Sequence, residues 1–208
     1  VYGLAGDAFN SQALARIFEA KKRPFFDPLI VHIGNLEHLE LVADLTQLSA
    51  QQLHNLEHLA TTFWPGPLSL VLPKRKEVPE LISSGLSTLA VRWPSHPIAQ
   101  AVIAQAGPLA APSANPFGYL SPTRAEHVIS QLGQNVDYIL DGGPCTLGLE
   151  STVLDIGGET ARILRPGGIA KSDIEACIGP VELIDRLNEQ PSAPGQLKSH
   201  YAPRRPLI

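Results

Sequence analysis

Apolar and polar positions along this chain follow two repeats, and the repeat switches many times. In "NSQALARIFEAKK" (10–22), Ala13, Leu14, Ile17 and Phe18 fall on one face of a 3.6-residue period, which predicts a helix capped by Asn10 or Ser11. "PLIVHI" (28–33) is a short apolar run and predicts a buried strand, and Asn35 opens a short helical segment. "SAQQLHNLEHLATTF" predicts a helix capped by Ser49 that buries Leu53, Leu56, Leu59 and Phe63 before Trp64-Pro65-Gly66-Pro67 breaks it. "LSLVL" and "TLAVRW" predict strands, and "HPIAQAVIAQAG" predicts a helix with Gly107 just past its end. "PLAA" is a short strand, and Thr123 with Glu126 forms a T-x-x-E capping box for a helix ending near Gly133. "VDYIL", "STVLDI" and "ARILR" predict strands, and "KSDIEACIG" a helix.

Strands interspersed with helices predict an α/β or α+β domain around a mixed sheet. The segment "STVLDIGGETARILRPGG" reads as an antiparallel hairpin through Gly157-Gly158, so the sheet is not purely parallel. Beyond Gly179 the composition turns rich in Pro and polar groups, as in a linker or tail.

Composition narrows the function classes. The chain has 208 residues, 44% apolar and 17% charged, which suits one large globular domain or a domain with a tail. A net charge of -4 argues against a general electrostatic grip on nucleic acid but leaves room for a local basic patch. Two cysteines, Cys145 and Cys177, without ligand-like spacing point to neither a disulfide framework nor a zinc site. With no long apolar run and no visible signal peptide, the expectation is a soluble cytoplasmic protein. The chain contains no methionine and starts at Val1, so residues are expected before it.

Several familiar loops are absent: no GxxxxGK[ST], no GxGxxG and no GxSxG. His54-Asn55-Leu56-Glu57-His58 matches H-x-x-E-H, a zinc-peptidase pattern, but a solvated Glu/His-rich helix face is the simpler account. The cations are more informative. Lys21-Lys22-Arg23, Arg92 and Arg165 each stand where a regular element gives way to a Pro or Gly turn. Strand ends of α/β sheets are where ligands collect, and three repeats of the pattern suggest an anion site. The stretch 108–127, "PLAAPSANPFGYLSPTRAEH", adds Ser113, Asn115, Ser121 and Thr123 at a strand end and a helix start, more hydroxyl and amide groups than a cap needs. The Gly-rich run "DGGPCTLGLEST" delivers Ser151 and Thr152 in the same way, although a simple turn also explains it. His32 inside "LIVHI" is by itself more readily a core group than a ligand.

Taken in order, "VYGL", "KKRPFFDPLIVHI", "FWPGPLSLVL", "TLAVRWPSHP", "APSAN", "SPT", "ILDGG", "ESTVLDI", "ILRPGGI" and "APGQLKSHYAP" closely resemble the YrdC family of threonylcarbamoyl-AMP synthases. The resemblance implies an open, twisted, mixed parallel and antiparallel sheet with flanking helices around a concave positive cavity. It implies synthesis of threonylcarbamoyl-AMP and pyrophosphate from L-threonine, bicarbonate or CO2, and ATP with Mg²⁺. A partner threonylcarbamoyl-transferase would then modify an adenosine beside the anticodon of tRNA. The resemblance leaves direct tRNA contact open, and a double-stranded RNA-binding or regulatory module without synthase activity is the alternative. By motif position, Lys21, Arg23, Thr88, Asn115, Thr123, Arg165, His200 and Tyr201 would serve ATP, and His32, Arg92, Ser113 and Ser151 would serve threonine. No covalent nucleophile and no protein-built metal site are expected. Asp27 stands where many relatives carry Asn, either to assist Mg²⁺ or as a harmless variant. Residues 1–183 would form the catalytic domain, and 184–208 a linker or lid leading to a second domain beyond Pro206. The family's P-T-E-T segment would precede "VYGL".

Overall fold

Small polar side chains start the first three helices. In the computed structural model, which describes residues 1–184, the Asn10 side chain accepts from the backbone N–H of Gln12 and Ala13 and opens α1 (Ser11–Lys21). Asn35 does the same for α2 (Leu36–Val42), and Ser49 forms a reciprocal capping box with Gln52 on α3 (Ala50–Phe63). The remaining helices are α4 (Glu80–Ser83), α5 (Pro97–Ala106), α6 (Ala125–Gln131) and α7 (Lys171–Ile178).

Among the described residues, eight strands form one sheet: β1 (Gly6–Asp7), β2 (Ile30–His32), β3 (Leu68–Pro73), β4 (Thr88–Arg92), β5 (Leu109–Ala110), β6 (Thr152–Asp155), β7 (Ala161–Arg165) and β8 (Val181–Leu183). Their order is β1-β5-β2-β4-β3-β6-β7-β8. The pairs β2–β4, β3–β6 and β7–β8 are parallel and the other four are antiparallel, so the sheet is mixed. The β6–β7 hairpin forms as the Gly157-Gly158 turn predicts.

The two-residue strand period divides the sheet into unlike faces. Val31, Leu70, Val91 and Leu154 point into the main core with Leu14, Phe18, Leu56 and Leu59 from α1 and α3. Ile30, Val71, Ala90, Val153 and Leu164 form a smaller apolar cluster apart from that core. His32, Ser69 and Arg92 lie two residues along from members of this second cluster, and so does Ser151 just before β6. Alternation alone therefore puts polar groups beside an apolar floor.

Two expectations are corrected. "VDYIL" (136–140) is not a strand: Val136 and Ile139 pack on Ala114, Val128 and Leu132, while Tyr138 is 90% exposed. No neighbouring strand receives it among the described residues, and its apolar positions serve a small satellite core. The T-x-x-E box at α6 does not form. Arg124 occupies the cap position, and the Thr123 backbone N–H and hydroxyl both approach His127 Nδ1, at 3.3 and 3.4 Å. β8, which ends the described sheet, pairs in parallel with β7 and falls within residues 1–183.

Candidate functional site

The cleft begins where β2 and β4 end together. Their parallel register sets His32 beside Arg92, and the β3–β4 register sets Ser69 on the other side of Arg92. Arg92 Nε donates to the Gly66 carbonyl at 3.0 Å, and the Gly66 N–H donates to the Trp93 carbonyl at 2.8 Å. A Cβ at Gly66 would stand 2.2 Å from the Phe63 carbonyl oxygen, so this turn against β4 requires glycine. Burial, then the nearby Arg165 charge, lowers the Arg92 guanidinium to about 10. Two guanidiniums that penalise each other are a site suited to an anion.

The second wall comes from β6 and β7. Arg165 is 7% exposed and donates to the Ser151 carbonyl at 2.9 Å and to its hydroxyl at 3.1 Å. The Ser151 and Ser69 hydroxyls are 2.7 Å apart. Arg23 supplies the third guanidinium. It is 6% exposed, donates to the Asp27 and Pro28 carbonyls at 2.9 and 2.7 Å, and pairs with the Asp27 carboxylate at 2.9 Å. Asp27 is fully buried, and that burial raises its carboxyl above the usual range, while the Arg23, Lys21 and Arg165 charges pull it down. Asp27 is thus the internal counter-ion of Arg23, and no other carboxylate, histidine or cysteine joins it in a metal-binding group among the described residues.

The stretch 111–113 closes the cleft opposite the N-terminal segment. Leu4 N–H donates to the Pro112 carbonyl at 2.8 Å, Gly3 bridges to Ser113, and Val1 lines the opening. Lys21 braces this loop from beneath: its Nζ donates to the Ser113 carbonyl at 2.5 Å and to that of Asn115. Burial first, then the Arg23 charge, lowers the Lys21 ammonium to about 7.

The expected site residues separate into two groups. Arg23, His32, Arg92, Ser113, Ser151 and Arg165 line one cleft. Lys21 and Asn115 are each 1% exposed and belong to the loop's support; the Asn115 amide donates to the Pro116 and Tyr119 carbonyls at 3.1 and 2.8 Å. Thr88 shares the Arg92 face but starts β4, about 13 Å away at the usual strand rise. Thr123 sits beside α6, outside the cleft lining. These four do not line this cleft among the described residues. His200, Tyr201 and the linker 184–208, save Ile184, lie outside the described residues. His54 and His58 stack with ring centroids 4.1 Å apart on the exposed face of α3, and no group of three metal-ligating side chains occurs among the described residues. The cleft also contains Glu150, which adjacent "EST" spelling did not single out.

His32 carries a pH signature. Its Nδ1 is buried without a hydrogen-bond partner among the described residues, and burial, then Arg92, lowers the imidazole to about 3. The unfolded chain binds this proton near the ordinary value of about 6.5 and the folded chain does not, so stability falls as pH drops from about 6.5 toward 3. His32→Gln should remove up to about 1.4 kcal/mol per pH unit of that slope. Urea melts between pH 6 and 4 measure it, and parallel slopes for both proteins would refute a buried neutral His32.

The fold and cleft define an α/β protein that gathers three guanidiniums on one face of an open mixed sheet. The chain belongs to the Sua5/YciO/YrdC family. Residues 1–167 match the family model described as Telomere recombination, and 169–208 match one described as Threonylcarbamoyl-AMP synthase, C-terminal domain. The threonylcarbamoyl-AMP synthase of Bacillus subtilis is 46% identical over all of this chain and 60% of its own length. That of Vibrio vulnificus is 34% identical over 80% of this chain and 87% of its own. The crystal structure of P. abyssi Sua5 complexed with L-threonine aligns at TM-score 0.91 and 44% identity, covering 98% of this chain and 59% of that one. The chain thus spans about 60% of the length of the longer relatives it matches. No helix among the described residues is long and apolar enough to cross a membrane.

Proposed function

We propose that this chain carries the synthase site of a threonylcarbamoyl-AMP synthase, an adenylyl-transferring enzyme acting on L-threonine, bicarbonate or CO2, and ATP. The observation that carries the reading is the convergence of Arg23, Arg92 and Arg165 on one cleft with Ser113 and Ser151. A zwitterionic amino acid and a nucleotide bring several anionic groups, and the reaction needs them held rather than attacked by a protein nucleophile. In this reading Arg92 clamps the threonine carboxylate, and Ser113, Ser151 and neutral His32 frame the amino acid. Arg23 and Arg165 face the nucleotide phosphates. The neutral threonine amine attacks CO2 and releases one proton to solvent, the carbamate oxygen attacks the α-phosphorus, and the bond from that phosphorus to the bridging oxygen breaks as pyrophosphate leaves. Mg²⁺ enters as part of the MgATP substrate, with phosphate oxygens as its chief ligands. The product would pass in the cytoplasm to a transferase acting on tRNA.

An RNA-binding module suits the cleft less well. Arg23 and Arg165 are 6% and 7% exposed, which fits an enclosed small anion and not a duplex backbone.

Threonine-dependent pyrophosphate release from ATP and bicarbonate by the full-length protein tests the reading; salt-sensitive RNA binding without turnover would sink it. Arg92→Ala should weaken threonine binding tenfold or more, the loss of about one charge-assisted hydrogen-bonded contact, and change ATP affinity far less. Equal losses for both ligands in calorimetric titrations would contradict the clamp.

A further inference from the structure

A surface helix ordinarily turns its apolar stripe to the core and its charges to water. α5 does the reverse. Ile98, Ala101, Val102, Gln105 and Ala106 stand at i, i+3, i+4, i+7 and i+8, which is one continuous helix face. Together they line a shallow surface groove of about 370 Å³. Ile98 is 37% exposed, and Ala101, Gln105 and Ala106 are exposed with it. Toward the core the helix buries one residue, Ile103. Its position is nevertheless well determined: Gln100 Nε2 donates to the Pro94 carbonyl at 3.1 Å, and Gly142 packs beside Ile98.

Charge is missing from the same place. Residues 93–123 contain no Asp, Glu, Lys or Arg, although 17% of the whole chain is charged. Part of that stretch is β5 and the loop beside the cleft, where burial accounts for it. α5 faces solvent, where charges are readily hydrated. An exposed helix face that is both apolar and uncharged marks a contact surface.

The chemistry of the stripe selects its partner. A charged surface would be desolvated against α5 without finding a counter-ion. A second α5 brings no like charges together, and packed antiparallel about a two-fold axis it sets the two helix dipoles in opposition. Centred on Val102, that arrangement places the bulk of Ile98 against the small Ala106 of the partner subunit at both ends of the contact. Ten helical residues span about 15 Å. A contact of that length buries less than the ~1,200 Å² at which stable interfaces begin, so the pairing is weak and concentration-dependent.

We propose that α5 is a self-association face through which two copies of this chain pair antiparallel about Val102. None of its residues lines the arginine cleft, so the inference stands apart from the synthase reading.

The test is sedimentation of the chain from micromolar to millimolar concentration. The average mass should climb from one chain toward two. Ala101→Glu and Ala101→Lys each set like charges face to face beside the axis, and each should remain a single chain throughout. Ala101 is exposed, so the urea midpoints of both variants should stay near that of the unaltered protein. An equimolar mixture of the two should pair about tenfold more tightly than either alone, because opposite charges then meet. A single-chain mass for the unaltered protein at millimolar concentration overturns the proposal, whichever other segment or protein proves to cover the face. A dimer that survives both substitutions, or a mixture that pairs no better than its components, overturns α5 as the contact.

Discussion

Gly167→Ala should destabilise the protein by ~2 kcal/mol or more and, on the proposed function, weaken threonine binding at the same time. A Cβ at this position would lie 2.4 Å from the Ser151 carbonyl carbon, 2.4 Å from the Thr152 nitrogen and 2.6 Å from the Glu150 oxygen. All three are backbone atoms, so no side chain can rotate away. Relief requires the 150–152 segment to move, and that segment carries both Glu150 and Ser151 into the cleft. It also pairs β6 with β3, where Thr152 lies opposite Leu68. Gly168 makes a useful contrast: a Cβ there would approach only Pro67 side-chain carbons, at 3.0 and 3.2 Å, and the Leu147 side chain. Gly168→Ala should therefore cost less in both measurements. Chemical denaturation and threonine titration of the two variants decide the matter, and equal effects at 167 and 168 would show that backbone collision is not the cause.

Asp27→Ala should lower stability by about 3–5 kcal/mol, the usual consequence of removing one partner of a buried ion pair. The Arg23 and Asp27 side chains are 3% and 0% exposed and meet at 2.9 Å. Without the carboxylate, Arg23 keeps its carbonyl acceptors at Asp27 and Pro28 but loses the charge that offsets its own burial. It should then turn toward solvent, and on the proposed function nucleotide affinity should fall with stability. Asp27→Asn preserves shape and an acceptor oxygen, so it should retain more of both. A loss below about 1 kcal/mol for Asp27→Ala in urea melts would mean that the pair does not hold Arg23 in place.

Local rules made much of the fold readable. Asn10, Asn35 and Ser49 cap their helices because a short polar side chain is the cheapest partner for free N–H groups, and that requirement is satisfied within a few residues. Apolar runs such as "LSLVL" and "TLAVR" became central strands for a similarly local reason. The failures arise where the competing partner is distant. Thr123 has the spelling of a cap but meets His127, and "VDYIL" has the spelling of a strand but no neighbour to pair with. β1, α4 and β8 are two to four residues long and carry too few positions for any period to register.

The site divides along the same line. Motif order along the chain determined the family and pointed to Arg23, His32, Arg92, Ser113, Ser151 and Arg165, since each stands at the end of an element whose position is locally encoded. Which neighbours of those residues reach the cleft was decided only in three dimensions. Lys21 is two residues from Arg23, and Asn115 two from Ser113, yet both are buried beneath the loop they support. Glu150 gained its place because Gly168 holds its carbonyl and Ser121 its carboxylate, contacts that span 18 and 29 residues respectively. Sequence by itself specified which side chains are present and which elements carry them. Facing, burial and charge pairing depend on strand register and loop packing between distant segments, and those exist only once the sheet has assembled.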